Sequence, residues 1–374
     1  MQDIGRIGFS EEQADLLDAA TVFCREKSPI AKVRRLIEDE TGYDVDVWRE
    51  MGELGWLGIA APEVYGGLGL PIGAVVPMLE QMGRRLLASP FLSTTLAAQA
   101  LLVGGTEGQK QALLPKIAAG TAATLALVEA SGDWNLENIQ CAATDAGAGA
   151  LRLAGEKFLV CDAAAAAWII ASVTYEGRPN LVVIEKAAIP QGALRRETVI
   201  DETKRAFALS LDGVETPKAN LFDPARASAA FAHIHLAANL LGSAEMCGGT
   251  QAVIDYTVDY LKTRKQFGKL IGSYQALKHP IVDAYVGYEQ ARSHLYSAAH
   301  CFGEQGAGEI STRMAKAQAD AAFSYAADRA IQFHGGFGFT YDCDAQLYRR
   351  SAIWQAAQYG DGAYHKRRLA QLLL

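Results

Sequence analysis

The hydrophobic period of this chain changes twice along its length, and that change limits what it can fold into. From Pro71 to Ala119 apolar residues recur at helical spacing, through Val75, Val76, Met78, Leu79, Met82 and Leu86, and Ala and Leu dominate. This predicts an all-α first region. Past Gly120 the pattern becomes short apolar runs between turn residues, at 124–129, 151–155, 168–173, 180–184 and 206–211. Runs of that kind are strands, and together they predict a small β domain. Residues 213–224, with Pro217 and Pro224, read as the linker that leaves it. After Arg226 the helical period returns, with four helices expected before Arg368. The expected organisation is an N-terminal all-α domain at 1–119, a middle β domain at 120–225 and a C-terminal helical bundle at 226–374, a mainly α fold with a small β insert.

Within the first region, Ser10 is the expected N-cap of a helix, with Gln13 completing a capping box and Leu16, Leu17, Ala20, Phe23 and Cys24 forming its apolar stripe. A second helical pattern covers 48–54. It runs into a loop at 55–69 whose glycines and Pro62 demand tight turns, with Trp56 and Tyr65 available to pack beneath it.

The stretch from Leu261 to His279 closes a long helical pattern with a burst of cations: Lys262, Arg264, Lys265 and Lys269. Cations complement a helix C-terminus, and an arginine fork holds a phosphate bidentately. A solvated helix end is the plain alternative. The overall formal charge of -7 excludes a dominant basic field, so no nucleic-acid partner is expected. The six cysteines include no Cys-x-x-Cys pair and no zinc spacing; they read as reduced thiols, and no metal site is expected. No stretch reaches the ~20 apolar residues of a membrane helix and no basic start precedes an apolar run. A cytoplasmic protein with no membrane span is the expectation.

Arg264-x-x-Phe267-Gly268, followed by Gln275 and His279, resembles the acyl-CoA dehydrogenase family. So does Gln332-Phe333-His334-Gly335-Gly336-Phe337-Gly338, about seventy residues later, and the loop at 55–69 resembles the entry loop of the same family. The resemblance covers nearly the whole chain. It implies a β domain between two helical domains, a C-terminal four-helix bundle that mediates dimerisation and tetramerisation, and FAD held across a subunit boundary. Arg264 and Phe267 match the family's pyrophosphate and adenine contacts, with Gln275 beside them, and Gln332, Gly335 and Gly336 match its second nucleotide loop. Glycines there let backbone N–H groups approach phosphate, although a helix C-terminal turn would explain two of them equally well.

The implied reaction is α,β-dehydrogenation of an acyl-CoA thioester to the enoyl-CoA, with electrons passed to an electron-transfer flavoprotein. Some relatives divide the work within a heterotetramer, so the expected assembly is a homotetramer or a heterotetramer with a homologous chain, and in the second case this chain supplies FAD contacts to its partner. Around the flavin the sequence departs from the family. The Thr-Glu-Pro segment is replaced by Leu127-Val128-Glu129-Ala130-Ser131, without the proline, and Ser131 is the hydroxyl left in that cradle. On the next strand Leu159 stands where the family has an aromatic, and Cys161 where it has a hydroxyl. Phe158 points to the other side of a regular strand and replaces that aromatic only if the register slips.

The reaction needs a carboxylate base opposite the flavin. Asp361, between Gly360 and Gly362, aligns with the family's usual glutamate, but a capping or turn role suits it as well. A minority of the family carries the base at the position of Ala238; Glu245 lies seven residues on, on roughly the same helix face, and is the second candidate. It could equally be a buried ion-pair partner or a surface residue on a rotated helix. His233 and His235 face apart on a helix and make a poor metal pair, and Trp134, Trp168 and Trp354 read as core or interface residues. A helical scaffold without chemistry gives no reason for both nucleotide motifs to occur on one chain.

Overall fold

The computed structural model describes residues 11–374. Six helices build the N-terminal domain: α1 (Glu11–Lys27), α2 (Ile30–Glu38), α3 (Val45–Glu53), α4 (Val76–Arg85), α5 (Phe91–Gly104) and α6 (Glu107–Ala118). The capping box expected from Ser10 lies outside the described residues. Two other caps are formed. Asp44 accepts the N–H groups of Asp46 and Val47 ahead of α3, and Thr106 and Gln109 exchange hydrogen bonds at the start of α6. The short α2 has no counterpart in the sequence reading; only Val33 of its nine residues is buried. The loop at 55–69 winds through two 3₁₀ turns beneath its own aromatics: Trp56 packs on Phe23 at 4.6 Å and the Tyr65 hydroxyl donates to Glu107 at 2.6 Å.

Nine strands follow: β1 (Ala123–Ala126), β2 (Ala142–Gly147), β3 (Ala150–Ala154), β4 (Glu156–Cys161), β5 (Trp168–Tyr175), β6 (Arg178–Glu185), β7 (Leu194–Glu197), β8 (Ala206–Ser210) and β9 (Glu215–Pro217). One sheet runs β1-β5-β2-β3-β9 with β6 on the other side of β5; the second is β4-β8-β7. β1 and β2 pair with β5 in parallel, and the remaining named pairs are antiparallel. The expected linker is partly a strand, because residues 215–217 add to the edge of β3 and Thr216 donates to the Val183 carbonyl at 3.1 Å. β5 and β6 are buried on both faces. Ile169, Ala171, Val173, Val182 and Ile184 enter the core between the sheets, while Ile170, Leu181 and Val183 join the helical core. Burial on both faces is why these two strands read as continuous apolar runs rather than as an alternation.

Lys157 is fully buried between these layers. Its ammonium donates to Glu129 at 2.6 Å and to Ser172 at 2.8 Å, and Glu129 also accepts the N–H groups of Gln140 and Cys141. Burial alone would raise the Glu129 pKa, but Lys157 and the two backbone donors hold it below the usual carboxylate range.

The C-terminal domain has α7 (Ala227–Thr263), a two-stranded hairpin β10 (Lys265–Gln266) and β11 (Lys269–Leu270), α8 (Gln275–Cys301), α9 (Ala307–His334), α10 (Ala345–Ala356) and α11 (Gly362–Leu373). Five helices form where four were expected. Tyr359 and Gly360 take left-handed φ values of 54° and 103°, which separates α11 from α10. Helices of both helical domains share one core, which includes Met78 and Leu79 of α4, Leu240 and Leu241 of α7, Leu295 of α8 and Phe323 of α9.

α4 and α7 touch backbone to backbone. A Cβ on Gly248 would lie 1.8 Å from the Glu80 carbonyl oxygen, and one on Gly83 would lie 2.1 Å from that of Glu245. Gly248→Ala is therefore expected to force the two helices apart and cost about 1–3 kcal/mol or more. Urea denaturation checks this; an unchanged midpoint would show that the contact is not needed.

Candidate active site and nucleotide groove

Two cavities carry the functional candidates. The outer one is a broad groove of about 940 Å³ at the end of α7. There the helix stops at Thr263, and Phe267 and Gly268 close the β10–β11 hairpin with φ values of 52° and 77°. Two successive positive φ angles are what a two-residue type I′ hairpin requires, and glycine supplies the second at no steric cost. This corrects the expected placing of the cations. Lys262 lies in the last helical turn, Arg264 is the C-cap, and Lys265 and Lys269 stand on the hairpin, because the Phe-Gly turn has replaced helix with strand. The turn leaves the Phe267 ring 92% exposed.

Opposite the hairpin, α9 ends at His334, and Gly335 at φ 60° starts a 3₁₀ turn through Phe339. The glycines thus make a helix C-terminal turn and also line the groove: Arg264, Phe267, Gly335 and Gly336 meet there with Tyr260, Tyr274 and His334. Arg264 has no ion-pair partner among the described residues. His334 is buried at the base of the groove, its ring stacked on Tyr260 at 4.2 Å and Tyr256 at 4.8 Å. Its Nδ1–H donates to the Ala330 carbonyl at 2.8 Å, leaving Nε2 as an acceptor without a partner. Burial lowers the His334 pKa, which keeps that acceptor free of a proton at neutral pH. Gln275 opens α8 and Gln332 lies on α9; both are exposed, and neither lines the groove.

The inner cavity, about 200 Å³, lies between the β domain, α4, α5 and α7. Ala238, Gly242 and Glu245 reach it from α7 at spacings of four and three, one face of the helix. Leu159 and Cys161 reach it from β4. The register of β4 does slip: Lys157 pairs with Leu209 but Val160 pairs with Phe207, which leaves one extra residue in β4, and Leu159 takes φ 51°. The freed amides find other acceptors, Phe158 N–H at Val128 and Leu159 N–H at Glu197. Phe158 nonetheless does not line the cavity, and Leu159 does. Ser131 is exposed and accepts the Asp133 N–H at 3.4 Å; Asp133 and Trp134, rather than Ser131, line the cavity.

The two candidate bases are separated. Glu245 lines the cavity, its carboxylate 2.9 Å from the Lys204 ammonium, which lines it too. Asp361 does not: its Oδ1 accepts the Tyr364 N–H at 2.7 Å as the N-cap of α11. The capping alternative is the geometry Asp361 has, and the ion-pair alternative is the geometry Glu245 has.

Sequence reasoning missed four charged residues of the inner cavity, Asp133 and three others. Asp162 accepts the Ser93 hydroxyl at 2.6 Å, and burial raises its pKa to about 6 against the opposing pull of Ser93 and Lys204. Lys204 is held above its usual pKa, since Glu245 and Asp201 outweigh its burial. Lys316 reaches in from α9. Lys204 and Lys316 stand in no motif. Trp134 and Trp354 also line the cavity, whereas Trp168 lies on β5 under Lys116. Burial pushes the Cys161 thiol up to about 12, so it is not ionised near neutral pH. His233 bonds Gln99, His235 packs among Tyr359, Tyr364 and His365, and the described residues contain no group of three metal-ligating side chains. The six cysteines are all free, and no described helix is long and apolar enough to cross a membrane.

Residues 10–121 match the acyl-CoA dehydrogenase N-terminal domain and residues 225–374 the acyl-CoA dehydrogenase C-terminal domain. The chain belongs to the acyl-CoA dehydrogenase family, oxidoreductases that act on CH–CH bonds. Among its relatives are the acyl-CoA dehydrogenase IpdE2 of Mycolicibacterium smegmatis, 29% identical over 96% of this chain and 98% of the relative, and FadE12 of Mycobacterium bovis, 31% identical over 79% of each. A solved glycine-to-alanine variant of the Tcur3481-Tcur3483 steroid ACAD superposes with a TM-score of 0.86 at 28% identity, covering 97% of this chain and 98% of that one.

A carboxyl with a raised folded pKa adds stability below its unfolded pKa and loses it as pH rises through the folded value. Asp162→Asn, which carries no charge at any pH, should therefore gain on the wild type between about pH 4 and about pH 7. Urea midpoints across that range read the gain; a pH-independent difference would contradict the assignment.

Proposed function

We propose that this chain is an FAD-dependent acyl-CoA dehydrogenase subunit whose outer groove holds the adenosine and pyrophosphate of a flavin seated mainly on a neighbour. One observation carries this reading: the outer groove and Glu245 belong to the same helix. Arg264 caps α7 nineteen residues beyond Glu245, ~28 Å at the rise of an α-helix, which sets the groove well apart from the inner cavity of the same chain. The residues of the groove fit the ADP half. Arg264 offers an unpaired fork for pyrophosphate, Phe267 an exposed ring for adenine, and His334 Nε2 a buried acceptor for an amine or hydroxyl.

The inner cavity offers Leu127, Val128 and Leu159 as an apolar wall for the flavin ring. Bound there, FAD would supply the hydride acceptor. The acyl chain lies between α4, α5 and α7 against Leu79, Met82 and Leu96, which exclude water from the reacting carbons. Glu245 is the carboxylate presented to the cavity and takes the α-proton of the thioester; Lys204 fixes its position. Electrons leave to an electron-transfer flavoprotein, and the functional unit is a tetramer.

Arg264→Ala should weaken FAD retention at least tenfold, read by flavin absorbance after desalting, while far-UV circular dichroism stays unchanged; full retention would refute the groove's role. Glu245→Gln should lower the rate of flavin bleaching by an acyl-CoA about 10²–10⁴-fold. Asp361→Ala should instead cost roughly 1 kcal/mol of stability and leave bleaching nearly intact. The reverse pattern would move the base to Asp361.

A second reading rests on a specific observation: the Glu245 carboxylate is tied to Lys204 and the Asp361 carboxylate to a helix cap, while Arg264, Phe267, Gly335 and Gly336 come together in the outer groove. A chain of that kind suits a heterotetramer in which a homologous companion supplies the base, and the Tcur3481-Tcur3483 ACAD bears two chain names. Bleaching by the purified chain alone, compared with bleaching after co-expression with a homologue, separates the two readings. Full activity alone refutes the second.

A further inference from the structure

Among the described residues Lys157 and Lys316 are the most deeply buried lysines, and Lys204 is partly buried beside the inner cavity. Lys157 has Glu129 at 2.6 Å and Lys204 has Glu245 at 2.9 Å. Lys316, 2% exposed on α9, has no carboxylate at ion-pair distance among the described residues. Its one hydrogen bond goes to the Gln355 carbonyl at 2.7 Å, so two of its three donor positions remain. The acidic groups that act on it from a distance, Asp320 and Asp361, are engaged elsewhere: they accept the N–H groups of Gly362 and Tyr364 at the start of α11.

This lysine lines the inner cavity beside Trp134, Trp354 and Tyr359, and the Tyr359 hydroxyl also has no hydrogen bond among the described residues. Burying an unpaired cation is costly, and fastening α9 to the end of α10 requires only a neutral donor. Burial lowers the Lys316 pKa to about 8, which still leaves it mostly protonated at neutral pH.

We propose that Lys316 is a specificity residue that pairs with a carboxylate carried by the acyl group away from its thioester, making the substrate class a carboxylated acyl-CoA rather than a plain alkanoyl-CoA. The inference rests on the reading of the inner cavity as the acyl site. It accounts for the missing counter-ion: the substrate brings it, as Glu129 and Glu245 do for the other two lysines.

Isothermal titration of the FAD-loaded protein tests this with two series of probes, the hexanoyl, octanoyl and decanoyl thioesters of CoA and the mono-CoA thioesters of the dicarboxylic acids of the same lengths. At one length or more the carboxylated thioester should bind at least tenfold tighter, the range of a hydrogen bond to a charged group. Lys316→Met should bring that ratio close to one while the plain thioester still binds. Equal affinities at every length in the wild type, a comparison that needs no variant, would overturn the proposal and leave the acyl-CoA reading standing. A preference that survives Lys316→Met would also overturn it. Binding by neither series would overturn the acyl site itself and the proposal with it.

Discussion

The contact between α4 and α7 sets the geometry on which both cavities depend. Gly83 and Gly248 remove the two side chains that would hold the helices at an ordinary separation, so the Glu80 and Glu245 backbones approach the facing helix directly. Helices normally pack with 8–10 Å between axes, and small residues at the contact bring them to the near end of that range. Gly249 extends the arrangement toward α9, where a Cβ would meet the Phe323 ring at 2.5 Å. With α7 clamped on both sides, the face that carries Ala238, Gly242 and Glu245 is fixed toward the β domain. Leu79 and Met82 of α4 then become the wall beside it.

Charge is distributed in the interior with the same economy. The β domain is held to its strands by the Lys157–Glu129 pair, which also satisfies the N–H groups of Gln140 and Cys141. A second buried carboxylate, Glu80 on α4, accepts Arg292 at 2.8 Å and the Tyr296 hydroxyl, both from α8. Buried pairs of this kind contribute little over an apolar filling, but losing one partner strands the other at a cost of several kcal/mol. They therefore fix which elements meet rather than how tightly the whole is held. The inner cavity is where this pattern is incomplete. Asp162, Lys204 and Glu245 form a mixed cluster at one side, and Lys316 stands apart from it on α9.

The legible parts of the chain are those whose reasons are local. Phe267 and Gly268 spell a hairpin turn whatever surrounds them, and the helical arithmetic from Ala238 to Glu245 needs only a continuous α7. Asp361 shows the limit of such reading. Its place in the alignment pointed to a base, while its place between two glycines pointed to a cap, and only the second property is intrinsic to the local backbone. The fold could be read because the β insert changes the hydrophobic period so sharply, yet α2 and β9 were invisible because each buries little of its own surface. Lys204, Asp162 and Lys316 were out of reach for a different reason. They come from a turn, a strand end and a distant helix, and nothing in the wording around Lys316 distinguishes it from Lys157, whose counter-ion lies 28 residues away on another strand end.

The length of α7 has a consequence for where a change acts. A helix of 37 residues with its middle clamped by α4 and α9 behaves as one rigid rod, so the position of the groove relative to the inner cavity of the same chain is fixed. On the proposed reading, in which one FAD links a groove to a cavity of another subunit, the relation between them is set by the subunit interface rather than by any hinge within the chain. Substitutions at Arg264 or Phe267 then act in trans: they weaken the flavin of the neighbour and leave the Glu245 side of their own chain intact. Mixing a groove-defective chain with a Glu245-defective one would restore a fraction of the sites in which an intact groove faces an intact cavity, and in a subunit that held its whole flavin it would restore none.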